Sequence, residues 1–207
     1  MTEITVTGAA EQRIPANEAQ LAASVSVRDA SRDRVLGQVE QAHAKLVERA
    51  RQLVAEGTAL SYAADPISSY SNSWRDEKRR AVVEYQAHAS VRIVLVELER
   101  VGDIAAELTR SGADVHVSWE LSAETRRAAE ATLRAAAVAD ARAAAEDYAK
   151  AIGASSAAIV SLRDGAGGGV APLGMARFAL ADAGAAPEVT VGEITVSVSV
   201  EAKFRAE

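Results

Sequence analysis

Residues 122–153 read SAETRRAAEATLRAAAVADARAAAEDYAKAIG, and this stretch decides how the chain is built. Fourteen of these residues are alanine, which favours helix because it loses no side-chain entropy and hides no polar group. Ser122 is suited to cap the first turn, and Gly153 can adopt the left-handed conformation that ends a helix. The stretch therefore predicts one long helix.

One face of this helix should be buried, because apolar residues recur along it at steps of three or four. The predicted buried face consists of Leu133, Ala137, Ala141, Ala144, Tyr148 and Ile152. Acidic residues such as Asp140 and Asp147 are balanced by basic ones, which indicates a solvated face. The alanines outside the buried face would let a neighbouring subunit pack closely, and they form a candidate interaction surface: Ala128, Ala131, Ala135 and Ala139.

The composition, 49% hydrophobic and 25% charged over 207 residues, is typical of a soluble globular protein. A net charge of -6 argues against a nucleic-acid partner, which would require a basic surface. The chain has no cysteine, so disulfides, thiolate nucleophiles and thiolate metal sites are excluded. No apolar run is long enough to span a membrane, and residues 1–6 carry no export signal, so the expected location is the cytoplasm.

Alternation of apolar and polar residues predicts strands at 4–7, 21–28, 60–69, 83–95, 114–121, 157–162 and 194–204. Helical periodicity predicts two further helices, at 31–56 and 98–111. We expect Gly8 to end the first strand, and Pro66 to place the third at a sheet edge or bulge because proline cannot donate to a ladder. Residues 68–80 are interpreted as a polar connection and 164–187 as a loop.

From the second strand to the fifth, the order is strand, helix, strand, strand, helix, strand. This split unit forms an antiparallel sheet with helices on one face. Strict alternation in the later strands indicates that one face of each strand is exposed to solvent. The fold class is therefore α+β, with a mostly antiparallel sheet around the split core, one long alanine-rich helix and a long C-terminal strand. No linker divides the chain, so residues 1–207 are expected to form a single domain.

The residues that could carry chemistry have simpler explanations. His43, His88 and His116 have no ligand partner at helical or strand spacing, although the last two could meet if their strands were neighbours. We interpret all three as surface residues. The glycines at 165–169 are not followed by the Lys-Ser or Lys-Thr of a phosphate loop, and the sequence has no nucleophile elbow. We therefore expect no catalytic residue, no cofactor and no metal.

Residues 70–75 place two aromatic side chains in a polar stretch, although only 4% of the chain is aromatic. Tyr70, Trp74 and Arg75 are of the types that anchor protein interfaces, which makes them a second candidate interaction surface. The alternative is that the tryptophan packs back on its own strands.

Several motifs along the chain match a known family. They are ITVTG at 4–8, IPANEA at 14–19, YQAHASV at 85–91, GADVHVSWELS at 112–122, AVADARAAAEDYAKAIG at 137–153 and VGEITV at 191–196. On these motifs the chain resembles, over nearly its whole length, the SIMPL-domain family, which includes periplasmic immunogens of Gram-negative bacteria. The resemblance implies an α+β domain that can assemble into ring-like or barrel-like oligomers, with no established catalytic residues. The chain departs from the family at Asn17, where Asp is common, and in lacking the usual export signal.

The leading hypothesis is a non-catalytic structural or interaction module that self-assembles into an oligomer. The first and last strands are amphipathic and terminal, so we expect at least one of them to lie at a sheet edge, where a partner chain can pair. Further copies of the chain, and an unidentified protein, are the expected partners. The alternatives are a small-ligand binding protein and, more remotely, an enzyme.

Overall fold

The computed structural model describes residues 2–75, 80–165, 171–172 and 190–207, and it confirms the α+β class. A short 3-10 turn at Leu98–Arg100 precedes the second helix. The elements in chain order are β1 (Thr2–Pro15), β2 (Glu18–Asp29), α1 (Arg32–Ala55), β3 (Ala59–Ala64), β4 (Ser68–Arg75), β5 (Ala81–Leu95), α2 (Val101–Arg110), β6 (Asp114–Glu120), α3 (Ala123–Ala151), β7 (Ala157–Asp164), β8 (Ala171–Pro172) and β9 (Glu193–Ala206).

The chain folds into two units, each with its own sheet. The terminal unit contains the described residues of Met1–Ala16, Leu121–Met175 and Gly192–Glu207. The central unit contains those of Asn17–Glu120 and Ala176–Val191. That residues 1–207 act as one domain stays a prediction.

The sheet of the terminal unit has the order β1-β9-β7, with β8 also paired to β9. Strands β1 and β9 run antiparallel over their full lengths, from Thr2 opposite Ala206 to Pro15 opposite Glu193. Helix α3 packs on one face of these two strands. Strand β9 buries alternate residues from Ile194 to Ala206, as its period of two predicts.

Helix α3 begins and ends where the sequence indicates. The backbone N–H of Thr125 donates to the Ser122 side chain at 3.2 Å, and Gly153 has a φ of 78°. The strand beneath the helix begins earlier and ends later than expected. Gly8 does not end β1, because β9 pairs with the residues before and after it. A Cβ added at Gly8 would meet the backbone carbonyl oxygen of Ala137 in α3. The glycine allows the helix and strand to approach closely.

The central unit contains the predicted split core. Its sheet has the order β3-β5-β2-β6, with β4 also paired to β5. Helices α1 and α2 share one hydrophobic core with a face of this sheet, and the largest fully buried side chains there include Leu21, Leu53 and Ile93. Every pairing in this sheet is antiparallel.

Residues 68–75 form strand β4, so the expected connection at 68–80 is wrong for most of its length. The 15-residue strand β5 extends beyond β3, and β4 pairs with its first half from Arg75 opposite Ala81 to Ser68 opposite His88. The side chains of β4 are exposed on both faces, so the strand shows no apolar alternation in the sequence. Pro66 lies in the break between β3 and β4, as its missing donor requires.

The predicted loop at 164–187 falls mainly outside the described residues. Within it, Asp164 still belongs to β7, and residues 171–172 form the short strand β8 beside β9.

Candidate interaction surfaces

Strand β1 lies at an edge of the terminal sheet. Within the part of the chain that the structure describes, it pairs with β9 on one side and with no strand on the other. The expectation that a terminal strand lies at an edge is therefore met by β1, whereas β9 lies inside the sheet. A free edge presents unpaired N–H and C=O groups to any extended segment that can reach them.

A contact from α3 shows which residues face this free edge. The backbone N–H of Ala9 donates to the Asp140 carboxylate at 3.0 Å, so it points away from β9. Successive residues of an antiparallel strand turn their N–H and C=O groups to alternate sides. Glu3, Thr5 and Thr7 therefore also direct these groups toward the free edge. Asp140, predicted to be merely solvated, has a backbone partner that the sequence did not reveal.

A groove runs beside the first half of β1. It has a volume of 520 Å³ and is lined by residues 2–7 together with Ala144, Tyr148 and Ile152 of α3. The side chain of Tyr148 is 60% exposed and that of Ile152 is 54% exposed. Two large apolar side chains thus stand in solvent next to an unpaired strand edge.

The prediction that Tyr148 and Ile152 are buried is wrong, and so is the position of the buried face beyond Ala141. The buried residues of α3 follow a single row with a step of four, namely Ala129, Leu133, Ala137, Ala141, Ala145 and Ala149. Such rows are inclined to the helix axis, which suits packing on a twisted sheet. The predicted face continued from Ala141 to Ala144, a step of three, instead of to Ala145. It therefore followed the neighbouring row of the helix, which contains the larger apolar residues Tyr148 and Ile152.

The four alanines proposed as an interaction surface, Ala128, Ala131, Ala135 and Ala139, are all exposed. The last three lie two positions from the buried row, on the side of α3 that faces away from the sheet. Ala128 belongs to the same row as Asp140 and Tyr148.

The second candidate surface lies on β4. Tyr70 is 51% exposed and Trp74 is 47% exposed, and Trp74 is paired with Val82 across the strand. Arg75 is also exposed, at the end of β4. Neither aromatic ring belongs to the hydrophobic core. Both interpretations of Trp74, as an interface anchor and as a side chain packed back on its own strands, stay predictions. Tyr70 lines a cavity of 240 Å³ beside Arg32 and Tyr85.

The central unit contains a polar cluster around Thr58, which is fully buried. The Thr58 hydroxyl donates to the Glu97 carboxylate at 2.7 Å, and Arg100 donates to the hydroxyl oxygen and, at 3.1 Å, to Glu97. The hydrogen bond from Thr58, followed by that from Arg100, lowers the pKa of Glu97. These contacts link the connection between α1 and β3 to the turn that precedes α2, and this structural role explains them.

The histidines are not brought together. His88 lies opposite Ser26 and His116 opposite Ala22, so strand β2 separates the two. Both are exposed, as predicted, but His43 is half-buried and its Nε2 is buried without a hydrogen-bond partner in the structure. Within the described ranges, no three His, Cys, Asp or Glu residues are grouped as metal ligands would be.

Two antiparallel sheets, one of them with a split strand-helix core, and a long alanine-rich helix define an α+β protein. The sequence model of the SIMPL family, described as a protein of unknown function (DUF541), matches residues 4–204. The chain belongs to the SIMPL family. A comparison with curated proteins finds no match. No helix within the described ranges is long and apolar enough to cross a membrane.

Proposed function

We propose that this protein is a non-catalytic interaction module that self-assembles through the free edge of β1. The observation that carries the proposal is the groove of residues 2–7, where a strand edge without a partner among the described residues lies beside the exposed side chains of Tyr148 and Ile152. The resemblance to the SIMPL family, which implies a domain that can assemble into ring-like or barrel-like oligomers, supports the same function.

The edge and the two side chains complement each other physically. A partner strand would satisfy the outward amides and carbonyls of Glu3, Thr5 and Thr7. It would also cover part of Tyr148 and Ile152, and each Å² of apolar surface removed from water contributes about 25 cal/mol. Backbone hydrogen bonds fix the orientation of the partner strand, and burial of the apolar side chains stabilises the contact.

The outer alanines of α3 are a weaker candidate for the same role. They would allow close approach of another helix, but their methyl groups offer little apolar area to bury. Tyr70, Trp74 and Arg75 offer more area, and they fit a contact with a different protein.

Small-ligand binding, the second hypothesis, has less support. The cavity beside Tyr70 measures 240 Å³, below the roughly 300–1,000 Å³ of typical ligand pockets. The 520 Å³ groove beside β1 lies within that range, but it is an open surface groove rather than an enclosed cavity. For an enzyme, shifted pKa values should gather in a cleft. Among the described residues, the shifted groups are Arg49, Asp65, Glu97 and Arg100, and the leading cause of each shift is a hydrogen bond to a neighbouring side chain of the central unit.

Light scattering with in-line size-exclusion chromatography, at several concentrations, tests the proposal. We expect a mass above that of the 21.6 kDa chain. Thr5→Pro should lower the mass toward the monomer, since it removes an edge N–H that does not bond to β9. Ala135→Glu is the matched control and should leave the mass unchanged.

Two outcomes would contradict this proposal. A constant mass of 21.6 kDa at all concentrations would exclude a stable oligomer. A mass that falls with Ala135→Glu but not with Thr5→Pro would move the contact from the strand edge to the helix. The cytoplasmic location stays a separate prediction, and cell fractionation tests it.

A further inference from the structure

We infer that Asp140 ends the pairing edge at Ala9 and thereby fixes how a second copy of the chain aligns on β1. In this alignment the two strands pair antiparallel over residues 2–7, with Thr5 of each copy opposite Thr5 of the other. The inference rests on the proposed self-association and specifies its register.

The first step concerns the donors that remain available. The N–H of Ala9 faces the free edge, but the Asp140 carboxylate already accepts from it at 3.0 Å. A carboxylate acceptor makes a stronger hydrogen bond than a neutral carbonyl would, so an incoming strand does not readily displace it. Charged side chains are a known means of limiting pairing at sheet edges. The edge that is open to a partner therefore ends before Ala9.

The second step is geometric. Between the start of β1 and Ala9, the residues that turn their backbone groups outward are Glu3, Thr5 and Thr7. In an antiparallel pair, outward residues of one strand must lie opposite outward residues of the other. A two-fold symmetric pairing that uses all three places Thr5 opposite Thr5 and Glu3 opposite Thr7.

The third step is the charge and chemistry of the matched residues. Glu3 is the only charged residue in the sequence stretch 2–7, and this alignment places it opposite Thr7 rather than opposite another Glu3. In this alignment Ile4 of one copy lies opposite Val6 of the other, and both residues are on the buried face of β1, against which α3 packs. Like charges are kept apart and apolar residues meet, which is the complementarity that stabilises cross-strand pairs. The stretch is thus suited to pair with itself.

Cysteine cross-linking tests the alignment, and the chain has no native cysteine to interfere. Thr5→Cys should give a covalent dimer of twice the 21.6 kDa chain mass on a non-reducing gel after mild oxidation. Directly opposed residues that exchange hydrogen bonds have Cα atoms about 5.5 Å apart, within the range of a disulfide. Thr7→Cys is the matched control and should give no dimer band, because the two Cys side chains would be about four residues out of register.

Asp140→Ala tests the role of the carboxylate in the Thr7→Cys chain. Removing it frees the Ala9 N–H, so the strands can shift toward Ala9 and the missing dimer band should appear. Asp140→Asn, which keeps an acceptor oxygen but loses the charge, should give a weaker band than Asp140→Ala. Circular dichroism of each variant checks that the chain remains folded.

The outcomes separate this inference from the proposed function. A monomeric mass in light scattering would overturn both. An oligomer in which Thr5→Cys forms no more dimer than Thr7→Cys would overturn only the alignment. Unchanged cross-linking of Thr7→Cys after Asp140→Ala, in a folded protein, would overturn the role of Asp140.

Discussion

Gly8 lies where strand β1 passes under helix α3, and a Cβ at this position would overlap the backbone carbonyl oxygen of Ala137. Backbone atoms of a packed helix cannot rotate away as a flexible side chain would. We therefore expect Gly8→Ala to destabilise the protein by at least about 1–3 kcal/mol in urea denaturation.

Gly37 provides the control for this substitution. It lies inside α1 and is exposed, and an added Cβ would meet no atom within 4 Å. Gly37→Ala should stabilise the protein by about 1 kcal/mol, because alanine is the better helix former. Equal effects of the two substitutions would mean that α3 does not lie against β1 at Gly8.

The sequence predicted some of these single residues and not others. Leu133 is buried and Ser122 accepts a hydrogen bond from the first turn of α3, as expected. The contact of Gly8 with Ala137 joins residues 129 positions apart, and no local pattern encodes it. The same holds for the contact between Ala9 and Asp140, since the carboxylate has the sequence surroundings of any solvated helix residue.

Helix α3 derives its stability in the fold from the row that faces the sheet. Leu133 is 5% exposed and is the largest side chain in a row otherwise made of alanines. Leu133→Ala should cost about 2–5 kcal/mol of unfolding free energy, because it leaves a cavity beneath the helix. Thermal and urea denaturation measure this loss.

Arg134 is the matched control on the adjacent position. It is exposed and forms an ion pair with Glu130 at 3.3 Å, a pair one helical turn apart. Arg134→Ala should cost no more than about 0.5 kcal/mol. A loss for Leu133→Ala as small as this would show that the buried face is assigned to the wrong side of α3.

The cluster around Thr58 makes the stability of the central unit depend on pH. Because the Thr58 hydroxyl and then Arg100 lower the pKa of Glu97, its carboxylate stabilises the folded state above its ordinary pKa of 4.5. This contribution is lost as the pH falls through the lower pKa of the folded state. Asp65 acts in the same sense, since the Ser90 hydroxyl lowers its pKa.

Thr58→Val removes the hydroxyl and keeps the shape of the side chain. We expect it to destabilise the protein at pH 7 and to have a smaller effect at a pH below the lowered pKa of Glu97, where the carboxylate is protonated in both chains. Urea denaturation at the two pH values measures the difference. Ser90→Ala, which acts on Asp65, is the control for the general acid response. An equal effect of Thr58→Val at both pH values would show that the Thr58 hydroxyl does not stabilise the protein through the charge of Glu97.

Periodicity predicted the helices and most strands because their buried faces repeat at regular steps. It failed for β4, whose side chains are exposed on both faces and whose existence depends on the length of β5. It also failed for the end of β1, which the partner strand β9 determines. Pairing of distant strands decides both cases, and a local pattern carries no information on it.

The order of the elements did predict the class of the whole molecule. The split core from β2 to β6 forms as expected, and its strand order follows from the two helical crossings. The order did not predict that β1, α3, β7 and β9 form a separate sheet with its own helix. The candidate site could not be predicted for the same reason, because the free edge of β1 depends on which strands pair with β9.

The proposed self-association through β1 would make the stability of the protein depend on its concentration. Pairing at the edge requires the folded sheet, so native chains can join the oligomer and unfolded chains cannot. By mass action, the melting temperature should then rise with protein concentration. We expect this rise across about a hundredfold range of concentration, measured by calorimetry or circular dichroism.

Thr5→Pro should abolish the concentration dependence, because it removes the edge N–H while leaving the residues that bond to β9 untouched. Ala135→Glu should retain the dependence, because it alters only the exposed side of α3. A wild-type melting temperature that does not change with concentration would contradict assembly over that range. A dependence that survives Thr5→Pro but is lost in Ala135→Glu would instead assign the contact to the alanines of α3.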